Sequence, residues 1–310
     1  VPSRRQFLNA AAVSAGGLML SSPTAFSFAA SADAAEGPMA TRPIPRTSER
    51  LPVIGMGSSG SFEVGDSAAD RDPLRDVLKR FFAGGATLID TAPSYGRAEN
   101  VIGDLLAEGG WRERTFLATK LGATGRDAGQ AQFAESLRKL KTDKVELLQV
   151  HNLVDWKTQL ALIDDLKRQG KARYSGITHY TESGQDALAE AVQATKPDFL
   201  QINYSVISRG AEQRLFPMAQ DLGVAVLINR AFDDGRLFSQ VKGRELPPWA
   251  ADAGITSWAQ AFLKFALSHP AVTAVIPATG KPDRQSDNLL AGHGPTLTAA
   301  QRQSLIDMFA

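Results

Sequence analysis

From Leu51 onward, short β-rich runs alternate with longer amphipathic ones, and this alternation restricts the chain to few architectures. The runs that read as strands are Val53–Gly57, Thr87–Asp90, Phe116–Thr119, Val145–Val150, Tyr174–Thr178, Phe199–Asn203, Ala225–Asn229 and Ala274–Pro277. Between them lie helical segments such as Pro73–Ala83, Gln132–Leu140, Gln159–Gln169 and Glu182–Ala194. Leu160, Ile163, Leu166 and Lys167 follow the three-four spacing of a helix with one buried stripe. Short apolar strands without strict alternation suit a parallel sheet covered on both faces. Strand follows strand at roughly 25 to 35 residues up to Ala225, with a longer last step, and no Pro/Gly-rich linker interrupts the chain after Arg46. Eight such units predict an α/β fold, a (β/α)8 barrel of eight parallel strands, with an extra C-terminal helix near Thr298–Phe309. A doubly wound open sheet is the alternative. It would normally carry a Gly-rich first turn, and Gly55-Met56-Gly57-Ser58-Ser59-Gly60 fits that motif poorly.

The first 35 residues read as an address rather than as fold. Ser3-Arg4-Arg5-Gln6-Phe7-Leu8 precedes a weakly apolar stretch from Ala10 to Ala30, which ends in Ala30-Ser31-Ala32-Asp33-Ala34-Ala35. A charged start, an apolar middle and an Ala-x-Ala end are the parts of a secretory signal. Paired arginines followed by Phe-Leu resemble the twin-arginine signature, which implies export of folded cargo by the twin-arginine translocation machinery and a periplasmic destination. Pro23 and the Ala, Ser and Gly content make the stretch a poor permanent membrane span. The expected organisation is a signal peptide over 1–35, a linker over 36–50 and one barrel domain over 51–310.

Charge sets limits on partners. The formal net charge is +1, and without Arg4, Arg5 and Asp33 the basic and acidic residues balance. Such a surface offers no footprint for nucleic acid or an anionic membrane, and a monomer acting on a small molecule is expected. With no cysteine in the chain, disulfides and thiolate chemistry are excluded.

Chemistry in a barrel of this kind sits at the C-terminal ends of the strands. Those ends carry Asp90, Lys120, His151, Thr178-His179, Gln201 to Asn203 and Asn229-Arg230. Taken singly, an Asp there could cap a helix, Tyr95 could be packing, Lys120 a solvated charge and His151 a satisfied core residue. Taken together, so many polar residues are costly in a purely structural core, because each needs a partner when buried.

The run Leu88-Ile89-Asp90-Thr91-Ala92-Pro93-Ser94-Tyr95-Gly96-Arg97-Ala98-Glu99 resembles the signature of the aldo-keto reductases. Ala118-Thr119-Lys120 and Leu148-Gln149-Val150-His151 resemble that family's lysine and histidine segments. The resemblance runs from about Leu51 to the C-terminus and implies a catalytic set of Asp90, Tyr95, Lys120 and His151, with no metal. Reduction of a carbonyl by hydride leaves an alkoxide that needs a proton as charge develops. Tyr95 would donate it, a positive Lys120 would stabilise the phenolate left behind, and Asp90 would keep Lys120 charged and oriented. His151 would hydrogen-bond the carbonyl oxygen and fix its approach.

The same resemblance implies a nicotinamide cofactor, NADPH or NADP, with NAD as an alternative. Gln201, with Thr178 and His179, would meet the carboxamide, and Tyr204 would stack on the ring. The loop from Asn229 through Arg230, Phe232 and Gly235 to Leu237 would meet the pyrophosphate. Thr279, Lys281 and Arg284 would take the 2′-phosphate, and Asn288 the adenine. A guanidinium forking onto a phosphate suits Arg284, although that residue could equally be a solvated charge in a first helical turn. Two departures stand out: Thr178-His179 replaces the family's Ser-Asn, and Ala278 replaces a lysine. Three other roles remain open on sequence: a non-catalytic NADPH-binding protein, oxidation of a sugar or alcohol, and a barrel hydrolase or isomerase.

Overall fold

The fold is described from a computed structural model of residues 37–310. The segment expected to be a twin-arginine signal lies outside the described residues. The described residues open with an antiparallel hairpin of β1 (Thr41–Pro43) and β2 (Arg50–Pro52). The repeat then runs β3 (Met56–Gly57), α1 (Ala68–Ala83), β4 (Leu88–Asp90), α2 (Ala98–Gly109), β5 (Phe116–Leu121) and α3 (Arg126–Leu140). It continues through β6 (Val145–His151), α4 (Trp156–Arg168), β7 (Ala172–Thr178), α5 (Gln185–Thr195), β8 (Phe199–Asn203) and α6 (Leu215–Leu222). The last part holds β9 (Ala225–Asn229), α7 (Arg236–Gln240), α8 (Trp258–Leu267), β10 (Val272–Val275), α9 (Pro282–Leu290) and α10 (Ala299–Met308).

Strands β3 to β10 pair in parallel and in sequence order. The sheet curls shut where Gly55 N–H donates to Val275 O at 2.8 Å and Val275 N–H to Val53 O at 2.9 Å. Gly57 sits on this seam, and a Cβ there would stand 2.9 Å from Ile276 O. Only glycine lets the first and last strands approach so closely. Closure makes this the expected (β/α)8 barrel rather than an open sheet.

The barrel interior follows from the two-residue period of a strand. On β5 the inward positions are Phe116, Ala118 and Lys120; on β6 they are Leu147, Gln149 and His151; on β8 they are Phe199 and Gln201. Each strand therefore starts apolar and ends polar inside the barrel. At the N-terminal end Phe116, Tyr174 and Phe199 pack with ring centroids 5.5 to 5.9 Å apart. The other strand positions alternate outward and join the helices in a second apolar layer, which includes Ile89, Leu117, Leu148, Ile177, Leu200 and Ile202. With both faces apolar, the runs lack polar alternation in the sequence.

Two expectations change. Helix α1 starts at Ala68 rather than Pro73, because the Ser67 hydroxyl accepts the Asp70 N–H and caps an earlier turn. The stretch over 36–50 contains β1 and the start of β2, not only linker. Ile44 and Leu51 of this hairpin join the inner apolar cluster, and Glu49 accepts from the Tyr174 hydroxyl at 2.6 Å. Arg42 holds it in place by donating to the carbonyls of Leu267, His269 and Val272. Those partners lie over 220 residues away, so no local pattern announces the hairpin. The C-terminal helix forms where expected, with Thr298 and Gln301 as a reciprocal capping box.

Candidate active site

A cleft of about 680 Å3 opens over the C-terminal ends of the strands. Asp90 of β4 lines its floor and Lys120 of β5 lies beneath, both almost fully buried. Lys120 Nζ donates to Asp90 Oδ2 at 2.5 Å and to Thr91 O at 2.9 Å. The same ammonium lies 5.0 Å from the centroid of the Tyr95 ring, which is presented by the loop between β4 and α2. Burial works against the Lys120 charge, yet Asp90 and Tyr95 more than offset it and hold the ammonium above the ordinary lysine range. Lys120 is therefore a cation at neutral pH, in a place where a lone cation would be expelled.

His151 ends β6 with its ring edge-on to Tyr95, the centroids 5.9 Å apart. Burial, then the positive charge of Lys120, pushes its pKa down to about 4. The imidazole is neutral at physiological pH, so it can share a hydrogen bond with a polarised oxygen without bringing a full charge. Ser94 Oγ lies 3.4 Å from Nδ1, which orients the ring. All four residues expected to act together thus converge on one spot.

Asp90 has more partners than the sequence suggested. Its Oδ1 accepts from Gln201 Nε2 at 2.8 Å and from Gln149 Nε2 at 2.9 Å. Gln201 Oε1 in turn accepts from Thr178 Oγ1 and Asn229 Nδ2, each at 3.3 Å. Strand parity is the signal that points to Gln149, since His151 faces inward and a residue two positions earlier must do so too.

Of the residues expected at a cofactor, Thr178, Gln201, Asn229, Arg230, Phe232, Gly235 and Arg284 line the cleft. Arg230 stands over the Tyr180 ring, donates to Tyr180 O at 3.0 Å and pairs with Asp234. The rest do not line it. Tyr204 is fully buried in the outer layer, stacked on Phe265 with its hydroxyl on Glu212 at 2.5 Å and paired with Arg302 of α10. It cannot stack on a ring in the cleft. With Gln201 facing inward, an odd offset of three turns Tyr204 outward. His179 follows the inward Thr178 and faces away likewise, its Nδ1 accepting from Thr181 N–H at 3.3 Å. Leu237 is core. Thr279, just before α9, and Asn288, within it, are buried; Thr279 Oγ1 accepts the Lys281 N–H, and Lys281 stands outside the cleft. Ser58, Ser59, Ser94, Asn152 and Tyr180 also line it and were not foreseen. They come from loops, where no period fixes direction.

Among the buried oxygens without a partner in the protein are Ser58 Oγ and Asn229 Oδ1. Both residues line the cleft, so each is free to bond a ligand there.

Comparison with known proteins accords with this geometry. Residues 53–307 match the model of the aldo/keto reductase family. The methylglyoxal reductase YeaE of Escherichia coli (strain K12) is 31% identical over 233 residues, 73% of this chain and 80% of the relative. The aldo-keto reductase str7 of Strobilurus tenacellus is 31% identical over 69% of this chain and 70% of its own. Among solved structures, an aldo-keto reductase from Klebsiella pneumoniae in complex with NADPH superimposes with a TM-score of 0.71 at 26% identity, covering 83% of this chain and 90% of that one. Barrel, strand-end chemistry and relatives agree: the chain belongs to the aldo/keto reductase family of oxidoreductases.

Proposed function

We propose that this enzyme reduces aldehyde or ketone groups of small molecules to alcohols with NADPH, and that Tyr95 delivers the proton. The observation that carries the reading is the buried, charged Lys120 lying between Asp90 and the Tyr95 ring, with neutral His151 beside them. A carbonyl oxygen seated between Tyr95 and His151 would meet a proton source and a second hydrogen-bond partner at once. As negative charge grows on that oxygen, the phenol releases its proton, and the Lys120 ammonium stabilises the phenolate left behind. Asp90 keeps Lys120 charged and directed.

The cleft fits a nicotinamide nucleotide. Asn229 Oδ1 is buried, unpartnered and open to an N–H donor such as a carboxamide. Arg284 reaches the cleft from the first turn of α9, where a guanidinium can fork onto a phosphate. Reduced nicotinamide, when bound, supplies the hydride. The Klebsiella relative holds NADPH and the Escherichia coli relative reduces methylglyoxal by name, which supports this nucleotide and small carbonyl compounds as substrate class. Purified protein mixed with NADPH and a panel of aldehydes should consume the nucleotide, followed by its absorbance. NADPH left unconsumed across the panel would refute the reading.

We also propose that Ser3–Leu8 directs twin-arginine export to the periplasm, on the strength of the paired arginines and the apolar stretch behind them. Replacing Arg4 and Arg5 with Lys should leave uncleaved protein in the cytoplasm. An unchanged periplasmic yield would sink the assignment.

A further inference from the structure

Gln149 belongs to neither a cofactor contact nor the four residues above, yet it is fully buried beside them. Its Nε2 donates to Asp90 Oδ1 at 2.9 Å, and its Oε1 accepts from Gln201 Nε2 at 3.2 Å. A second observation concerns its neighbour on β7. Gly176 is the Cα partner of Gln149, and a Cβ on it would stand 2.7 Å from Gln149 Cγ. The neighbouring strand is cut back at the point where this side chain crosses the barrel interior.

We propose that Gln149 is a positioning residue for the carbonyl reduction: it anchors Asp90 Oδ1 so that Oδ2 stays aimed at Lys120, and through Lys120 it governs Tyr95. This rests on the reading of Tyr95 as proton donor. A buried carboxylate bound on one oxygen only is free to turn its second oxygen toward any other donor. Two amide N–H groups on Oδ1, from β6 and β8, remove that freedom. An amide is the right group for the task. It donates without adding charge, whereas a carboxylate of the same length donates only when protonated.

The charged and titratable groups facing this cluster are Lys120 from β5, Tyr95 from the loop after β4 and His151 from β6, while His179 after β7 is turned away onto Thr181. Glu99 of α2 lies on the far side of β5, with Oε1 accepting from Thr119 Oγ1 at 2.7 Å. None of them carries a negative charge into the cluster beside Asp90, so a Glu at 149 would introduce a new one.

The test compares Gln149→Met, Gln149→Glu and Gly176→Ala with Tyr95→Phe in the full-length protein. Rates are taken with an aldehyde over a range of pH, NADPH affinity from nucleotide fluorescence, and folding from thermal melts. Methionine keeps the volume and loses the donor, so kcat should fall about 10- to 100-fold at every pH, as expected for a hydrogen bond to a charged group. NADPH affinity should stay within about twofold. Gln149→Glu should work best at acidic pH, where the carboxyl keeps its proton and donates to Asp90. Its rate should decline as pH rises, along a limb the parent lacks. Gly176→Ala should displace Gln149 and lose part of the same rate. A purely structural role would give Gln149→Glu the parent's pH profile, and that result overturns the proposal. So does a Gln149→Met protein that turns over at the parent rate. If the methionine variant fails to fold, the glutamate profile decides. If Tyr95→Phe keeps the parent rate, the proton-donor reading falls and this proposal with it. An inactive Tyr95→Phe beside a fully active Gln149→Met removes this proposal alone.

Discussion

The two ends of the barrel interior are built from the same strands and solve opposite problems. At the N-terminal end Leu88, Phe116, Leu147, Tyr174 and Phe199 form an apolar plug beneath the β1–β2 hairpin. Two or four residues further along the same strands stand Asp90, Lys120, Gln149, Thr178 and Gln201. The plug gains from area and contact, which are forgiving of detail. The polar end has no such tolerance, because every buried donor and acceptor must find its own partner or cost stability. Asp90 shows the result, with both oxygens bonded and three side chains turned toward it. The difference teaches that one end is built to hold the barrel and the other to hold charge in place.

Removing the proton donor at the polar end should stop turnover and leave the fold. Tyr95→Phe keeps the ring and removes the hydroxyl, so carbonyl reduction should fall by about 10²- to 10⁴-fold, the usual worth of a positioned general acid. Lys120→Met should be similarly inactive. Nucleotide fluorescence should show NADPH still bound by Tyr95→Phe, and a rate matching the parent would remove Tyr95 from the chemistry.

Breaking the apolar end should do the reverse. Phe116→Ala opens the ring cluster and should cost about 3–5 kcal/mol of stability, read from denaturant unfolding. The kcat of the protein that remains folded should match the parent. A variant as stable as the parent would mean that the plug relaxes to fill the void.

A milder probe of the polar end is acid. At pH 7 the His151 imidazole is neutral folded or unfolded, so it adds nothing to stability. As pH falls from 6.5, its ordinary value, toward about 4, its value in the fold, the unfolded chain takes up a proton that the native site refuses. Stability should decline across that window by about 3 kcal/mol, and the loss is complete near pH 4. His151→Gln should flatten this part of the curve; an unaltered slope would assign it to other groups.

The smallest effect sharpens the comparison at the rim of the cleft. Arg284 is exposed, and no described residue holds its charge in an ion pair. Arg284→Ala should weaken NADPH about 10- to 100-fold and NADH hardly at all, with melting unchanged. Equal affinity of the parent for both nucleotides would count against a 2′-phosphate contact there.

The sequence by itself determined the barrel and the strand ends that bear its polar residues. Both follow from short-range regularities: the spacing of apolar runs, and the rule that one end of parallel strands collects the loops. Parity within a strand was also present in the letters. It places Gln149 inward with His151, and Tyr204 and His179 outward, where they line no cleft. What only the tertiary structure decided is which groups satisfy one another. Gln149 and Gln201 reach Asp90 across 59 and 111 residues of chain, and Arg42 ties the hairpin to carbonyls more than 220 residues on. Local pattern says that a buried charge must be paired. The choice of partner belongs to strand register and barrel closure, which bring together residues that no neighbouring sequence connects.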